Sequence, residues 1–177
     1  DQQEAMDFLS GAFLIAFLMI FLILVIQFNS ISRPIIIMSG IIFSVIGVLL
    51  GFAIFNMNIS VVMTGFGIVG LGGIVVKNGI LLIEFMDEML KRGLSIKDAV
   101  IMGGKLRLKP VLLTAVSTVL GLLAMAVGFN INFVTLFTEL NPNIFFGGDN
   151  VKFFGPLSWT IIFGLIFATV ITLIVLP

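Results

Sequence analysis

Residues 61–85 read VVMTGFGIVGLGGIVVKNGILLIEF, twenty-five positions in which Lys77 and Glu84 are the only charges. Crossing about 30 Å of hydrocarbon takes roughly 20 apolar residues in a helix, so this stretch is long enough to span a membrane. Four more stretches of the same kind flank it, over about 8–28, 34–55, 110–129 and 154–177. Hydrophobic residues make up 60% of the 177 and charged residues only 10%. A soluble domain carries about a quarter charged residues and could not cover its surface with so few. The expected fold is an all-α integral membrane bundle of five transmembrane helices. The first stretch is too long for a signal peptide and lacks a small-residue cleavage site.

Composition also closes off chemistry. Neither Cys nor His occurs, which excludes disulfides, thiol chemistry, the usual zinc sites and histidine catalysis. Nine basic and nine acidic residues cancel, so charge draws the chain to no nucleic acid. No nucleophile–base pair or metal cluster is visible, and we expect no enzyme, cofactor or bound metal. The Met residues read as packing filler, Met86 and Met89 alone having a spacing of interest.

The connections give the orientation. Arg33 lies in the first turn, and Lys91, Arg92, Lys97, Lys105, Arg107 and Lys109 lie in the connection 86–109 on the same side. The connections on the other side, 56–60 and 130–153, hold Lys152 alone. Positive charge marks the cytoplasmic face. The amino terminus is therefore expected outside and the carboxyl end in the cytoplasm. Within 86–109, Ser95 followed by Asp98 resembles a capping box, and Gly103-Gly104 reads as a stop, giving a short surface helix over 96–102. The outer connection 130–153 is rich in Phe, Asn and Gly, and its role is not readable. The last stretch ends at Pro177 without a polar tail and is read as truncated.

Lys77 stands out. A lysine deep in a membrane helix costs about 2.5–3.5 kcal/mol on insertion scales and marks an ion or proton pathway more often than a static pair. It lies eight residues inside Phe85, roughly 12 Å of helix rise, a long reach for snorkelling. Glu84, seven residues on, is about 10.5 Å away along the helix, too far for a direct pair. An ammonium alone in lipid favours its neutral form. The carboxylate that keeps Lys77 charged must come from helices outside this sequence. Thr114 and Arg107 have ordinary readings, a hydroxyl bonded to its own helix and a headgroup-level cation. Gly65-Phe66-Gly67-Ile68-Val69-Gly70 matches G-x-G-x-x-G but lies inside a membrane segment, so we read these glycines, with Gly72, Gly73 and Gly79, as sites of close helix approach.

Three motifs in order carry a resemblance. Residues 73–85, with Lys77-Asn78 at their centre, resemble the intramembrane Lys-Asn motif of the resistance-nodulation-division (RND) efflux transporters. Arg107-Leu108-Lys109-Pro110 with Leu113-Thr114 resembles the start of that family's next helix, Lys109 replacing an Arg. Gln27-Phe28-Asn29-Ser30 with Arg33-Pro34 resembles its preceding turn. The likeness covers nearly the whole chain and implies the last five helices of a twelve-helix transporter, in its C-terminal half. It implies a proton relay of Lys77, Thr114 and Arg107, with Asn78 and Glu84 as neighbours and protons as the coupling ion. The paired membrane aspartates would come from the N-terminal half. It further implies a homotrimer in the inner membrane of a Gram-negative bacterium, working with a periplasmic adaptor and an outer-membrane channel. The heavy-metal branch tends to lack this Lys, so multidrug export by the hydrophobe/amphiphile branch is expected. Two alternatives remain: an RND relative that moves protein or lipid, and a non-transporting membrane assembly subunit.

Overall fold

The computed structural model describes residues 2–131, 137, 138, 140 and 143–175. Within them run five long helices: α1 (Gln2–Phe28), α2 (Ser32–Ile54), α3 (Val61–Lys91), α4 (Ile96–Val127) and α5 (Asp149–Val175). A two-stranded hairpin, β1 (Phe129–Ile131) and β2 (Ile144–Phe146), stands between α4 and α5. All five helices are long and apolar enough to cross a membrane. The all-α membrane class read from the sequence is the class observed.

The boundaries depart from the reading in the connections. Segment 86–109, expected as a loop, is helical except for 92–95, because α3 runs on to Lys91 and α4 begins at Ile96. Ser95 does cap α4, its Oγ accepting the Asp98 N–H at 3.2 Å. Gly103-Gly104, however, does not end that helix, and the short helix over 96–102 is the first part of a 32-residue one. The reason is packing. A β-carbon on Gly103 would stand 2.9 Å from Met86 Cγ, so the glycine lets α4 lie close against α3. Pro110 also lies within α4, where its missing N–H leaves the Leu106 carbonyl without its helical donor. In the outer connection, α5 starts at Asp149 rather than 154.

The hub of the bundle is α5, which packs on α2, α3 and α4, while α1 lies at the edge against α2 and α3. Lipid offers no hydrophobic force between helices, so close fit must hold them. Gly47 and Gly51 of α2 receive Phe167 and Phe163 of α5, and Gly164 of α5 receives Leu71 of α3. Phe163 stacks on Trp159 at 5.3 Å and meets Phe52 edge-on at 5.8 Å. A second cluster of Leu24, Phe28, Ile37, Ile41 and Val76 ties α1 and α2 to α3. Met86 and Met89 are buried.

Candidate functional site

One face of α3 is left uncovered. Phe66, Gly70, Gly73, Lys77 and Glu84 are all exposed and recur every three, four or seven residues, the spacing of one helix face. Four of the six glycines singled out in this helix do meet neighbours: Gly65 lies against Leu9, Gly67 against Thr160, Gly72 against Ile41 and Gly79 against Ile37. Gly70 and Gly73, above Lys77, have nothing within 4 Å of a built β-carbon. The close approach expected of those two has no counterpart among the described residues.

Beside this face, α3 and α4 enclose a cleft of about 350 Å³ backed by Leu165 of α5. Lys77 and Asn78 line it from α3, and Arg107, Thr114, Ser117 and Thr118 line it from α4. Residues 29 or more positions apart in sequence thus line one cleft. No ion pair found among the described residues involves Lys77. Arg107 is partly buried, with its guanidinium carbon 4.9 Å from the centre of the Phe85 ring. Its Nε is buried without a hydrogen-bond partner. Two cations therefore line the cleft, and no carboxylate is among its lining residues. Chemically this is a receptor for an anion, above all a carboxylate, since a guanidinium fork matches two oxygens.

The hydroxyls of α4 are committed to their own helix. Thr114 Oγ1 donates towards the Val111 carbonyl at 2.9 Å and the Pro110 carbonyl at 3.1 Å. Thr118 Oγ1 donates to the Thr114 carbonyl at 2.8 Å, and Ser117 Oγ to the Leu113 carbonyl at 2.8 Å. Each oxygen keeps lone pairs that can accept from the cleft. Ser117 and Thr118 were missed in the sequence, although their offsets of three and four from Thr114 place them on its face.

Glu84 is elsewhere. It lines a second cleft with Gln27, Arg33 and Asp87, and Gln27 Nε2 donates to its carboxylate at 2.8 Å. Arg33 pairs with Asp87 in the same cleft at 2.9 Å. Glu84 shares a helix face with Lys77 but not its cleft, because the end of α1 sits beside it.

Three comparisons bear on what this arrangement belongs to. Residues 1–131 match the AcrB/AcrD/AcrF family. The swarming motility protein SwrC of Bacillus subtilis is 34% identical over the whole chain, which covers 15% of that relative. The cobalt-zinc-cadmium resistance protein CzcA of Cupriavidus metallidurans is 29% identical over 92% of the chain and 14% of the relative. The multidrug export protein AcrF of Escherichia coli is 32% identical over 64% of the chain and 11% of the relative. A crystal structure of a heavy metal efflux pump superposes on 99% of the chain and 16% of its own, with a TM-score of 0.78 and 26% identity. The chain thus spans about one seventh of the length of the curated relatives it matches.

Proposed function

The chain belongs to the AcrB/AcrD/AcrF family, and on that premise we propose that its five helices are part of the membrane domain of a proton-driven export transporter. The observation that carries this reading is the cleft with Lys77 and Arg107 on its walls and no carboxylate among its lining residues. Lys77, Arg107 and Thr114 are its basic side of a proton relay, with Asn78 as a neighbour. The acidic side is a membrane carboxylate on a helix of the same protein that lies outside this sequence. That helix covers the open face of α3, where Gly70 and Gly73 leave room for close approach.

The cycle follows from charge. An ionised carboxylate in the site attracts the Lys77 ammonium, and Arg107 steadies it. A proton arriving from outside neutralises that carboxylate, and the attraction is lost. Lys77 turns to another acceptor, for which the Thr114 oxygen is available, and the helices repack. Protonation biases an equilibrium between two packings, and release of the proton inwards restores the first. Export of cargo is coupled to that shift in the rest of the protein. The whole protein is proposed to be an inner-membrane homotrimer, with the start of α1 on the periplasmic side, joined to an adaptor and an outer-membrane channel. Multidrug export is our first reading of its cargo. Metal-ion export is the second, supported by the likeness to CzcA and to the heavy metal efflux pump.

The test uses the full-length protein in vesicles with an imposed proton gradient. Lys77→Met keeps length and removes charge, so gradient-driven movement of drug, zinc or cobalt should fall to background. Movement at the unmodified rate would show that this lysine plays no part in coupling.

A further inference from the structure

The hairpin between α4 and α5 is outside the relay, and its faces differ. Phe129 pairs with Phe146 and Ile131 with Ile144, so alternation puts four apolar side chains on one face. Phe129 and Phe146 meet edge-on at 5.7 Å, a cross-strand aromatic pair. This face is open: Phe129, Ile144 and Phe146 are 43%, 51% and 68% exposed. The other face holds Asn130 and Phe145, and Phe145 is 48% exposed, so what sets the two faces apart is the polar Asn130 and not exposure. Asn130 Nδ2 donates to the carbonyls of Gly128 at 3.0 Å and Gly147 at 2.8 Å, which pins the base of the hairpin to the end of α4.

The length of α4 bears on where the hairpin stands relative to the bilayer. The apolar part of α4, from Pro110 to Val127, has about 27 Å of rise, close to the thickness of the hydrocarbon. Gly128 caps that helix in the left-handed conformation at φ 72°, and β1 begins at the next residue. Each strand of three residues reaches about 10 Å, whereas the interfacial layer is only roughly 5–8 Å deep on each side. A hairpin lying flat stays within that layer. Its unpaired strand edges keep it out of the hydrocarbon, and two strands alone are marginal in water. Phe129 of this face lines one cleft with Met125 of α4 and Phe154 of α5, and Leu123, Val127 and Phe153 near the same ends of these helices are exposed as well. At the start of α5, Asp149 and Lys152 pair with each other at 3.4 Å, leaving no net charge there to oppose anionic headgroups.

We propose that the Phe129/Ile131/Ile144/Phe146 face is a lipid-binding surface, seated in the interfacial layer of the bilayer and holding the α4–α5 connection flat on the membrane. The test is a nitroxide attached at single cysteines in the full-length protein, any cysteine outside these 177 residues being replaced by serine, in phosphatidylethanolamine/phosphatidylglycerol vesicles. Ile144→Cys and Phe146→Cys carry the label on the apolar face, Phe145→Cys on the opposite one, and Leu120→Cys gives a membrane-depth reference. Collisions with oxygen should exceed those with a water-soluble nickel chelate several-fold at 144 and 146, and the ratio should fall at 145. A ratio favouring the chelate at 144 and 146 would place the face in water. Low collision with both reagents there would mean that another part of the protein covers it. Either outcome overturns the proposal.

Discussion

Arg107 lies across the Phe85 ring, 4.9 Å from its centre, while its own Nε is buried without a hydrogen-bond partner. The ring can contribute about 0.5–1 kcal/mol by attracting the cation at this partly exposed site. It does not satisfy the N–H, and leaving a buried donor unmade costs about 1–3 kcal/mol. Phe85 therefore holds the guanidinium at the cleft wall, with donors still to be used. In the proposed relay, an acceptor on a helix outside this sequence would take up those donors.

This separates two substitutions in the full-length protein. Arg107→Lys keeps the charge but loses the planar fork, so export should fall by about tenfold or more. Phe85→Leu removes only the ring contact and should cost about two- to fivefold, in line with its smaller energy. Export rates at matched membrane levels are the measurement. Equal rates for Arg107→Lys and the unmodified protein would mean that only charge matters at this position.

How much of this was legible differs from one feature to the next. The five spans were readable because length and apolarity alone decide a membrane helix. Lys77, Asn78, Arg107 and Thr114 could be grouped by motif, and they do share one cleft. Gly103-Gly104 misled because local sequence cannot distinguish a glycine that ends a helix from one that admits a neighbour. Only Met86, on another helix, decides it. The distance along α3 separates Glu84 from Lys77 in the sequence alone, but its hydrogen bond depends on Gln27, 57 positions away. The hairpin was hidden because three-residue strands leave almost no periodic signal.

Topology can be checked independently of transport. Arg33 and the cations from Lys91 to Lys109 lie on one side of the bundle's connections, and Lys152 on the other. A reporter inserted after Gly93, in the turn between α3 and α4, should be cytoplasmic. One inserted after Asn143, just before β2, should be periplasmic. The reverse labelling at both sites would overturn the orientation.

The fit around α5 makes a prediction about stability. A β-carbon on Gly164 would overlap Leu71 and stand 2.9 Å from Val48 Cγ2 and 3.2 Å from the Ser44 carbonyl oxygen. The carbonyl is backbone and cannot turn aside. Gly164→Ala should therefore destabilise the bundle by about 1–3 kcal/mol. Gly121→Ala in α4 meets nothing within 4 Å and gains helix propensity, so it should be neutral or slightly stabilising. Thermal unfolding of the purified full-length protein in detergent compares them. Coincident midpoints would show that α5 is not held by this contact.

Thr114 tests whether the relay uses an oxygen or merely a shape. Its hydroxyl proton is directed at the Pro110 and Val111 carbonyls, so what it offers the cleft is a lone pair. If Lys77 donates to that lone pair in one half of the cycle, Thr114→Val removes an acceptor worth about 0.5–1.5 kcal/mol. Export should then slow by roughly two- to tenfold, by the same conversion of energy to rate. Thr114→Ser keeps the oxygen and the backbone bonds, so it should export within about twofold of the original. Were Thr114 only tying α4 to itself, valine would fill the same volume and leave export unchanged, since such back-bonding slightly destabilises helices. Measuring both variants against one cargo distinguishes the roles: slowing by Val with rescue by Ser requires the oxygen, and no slowing by Val excludes it.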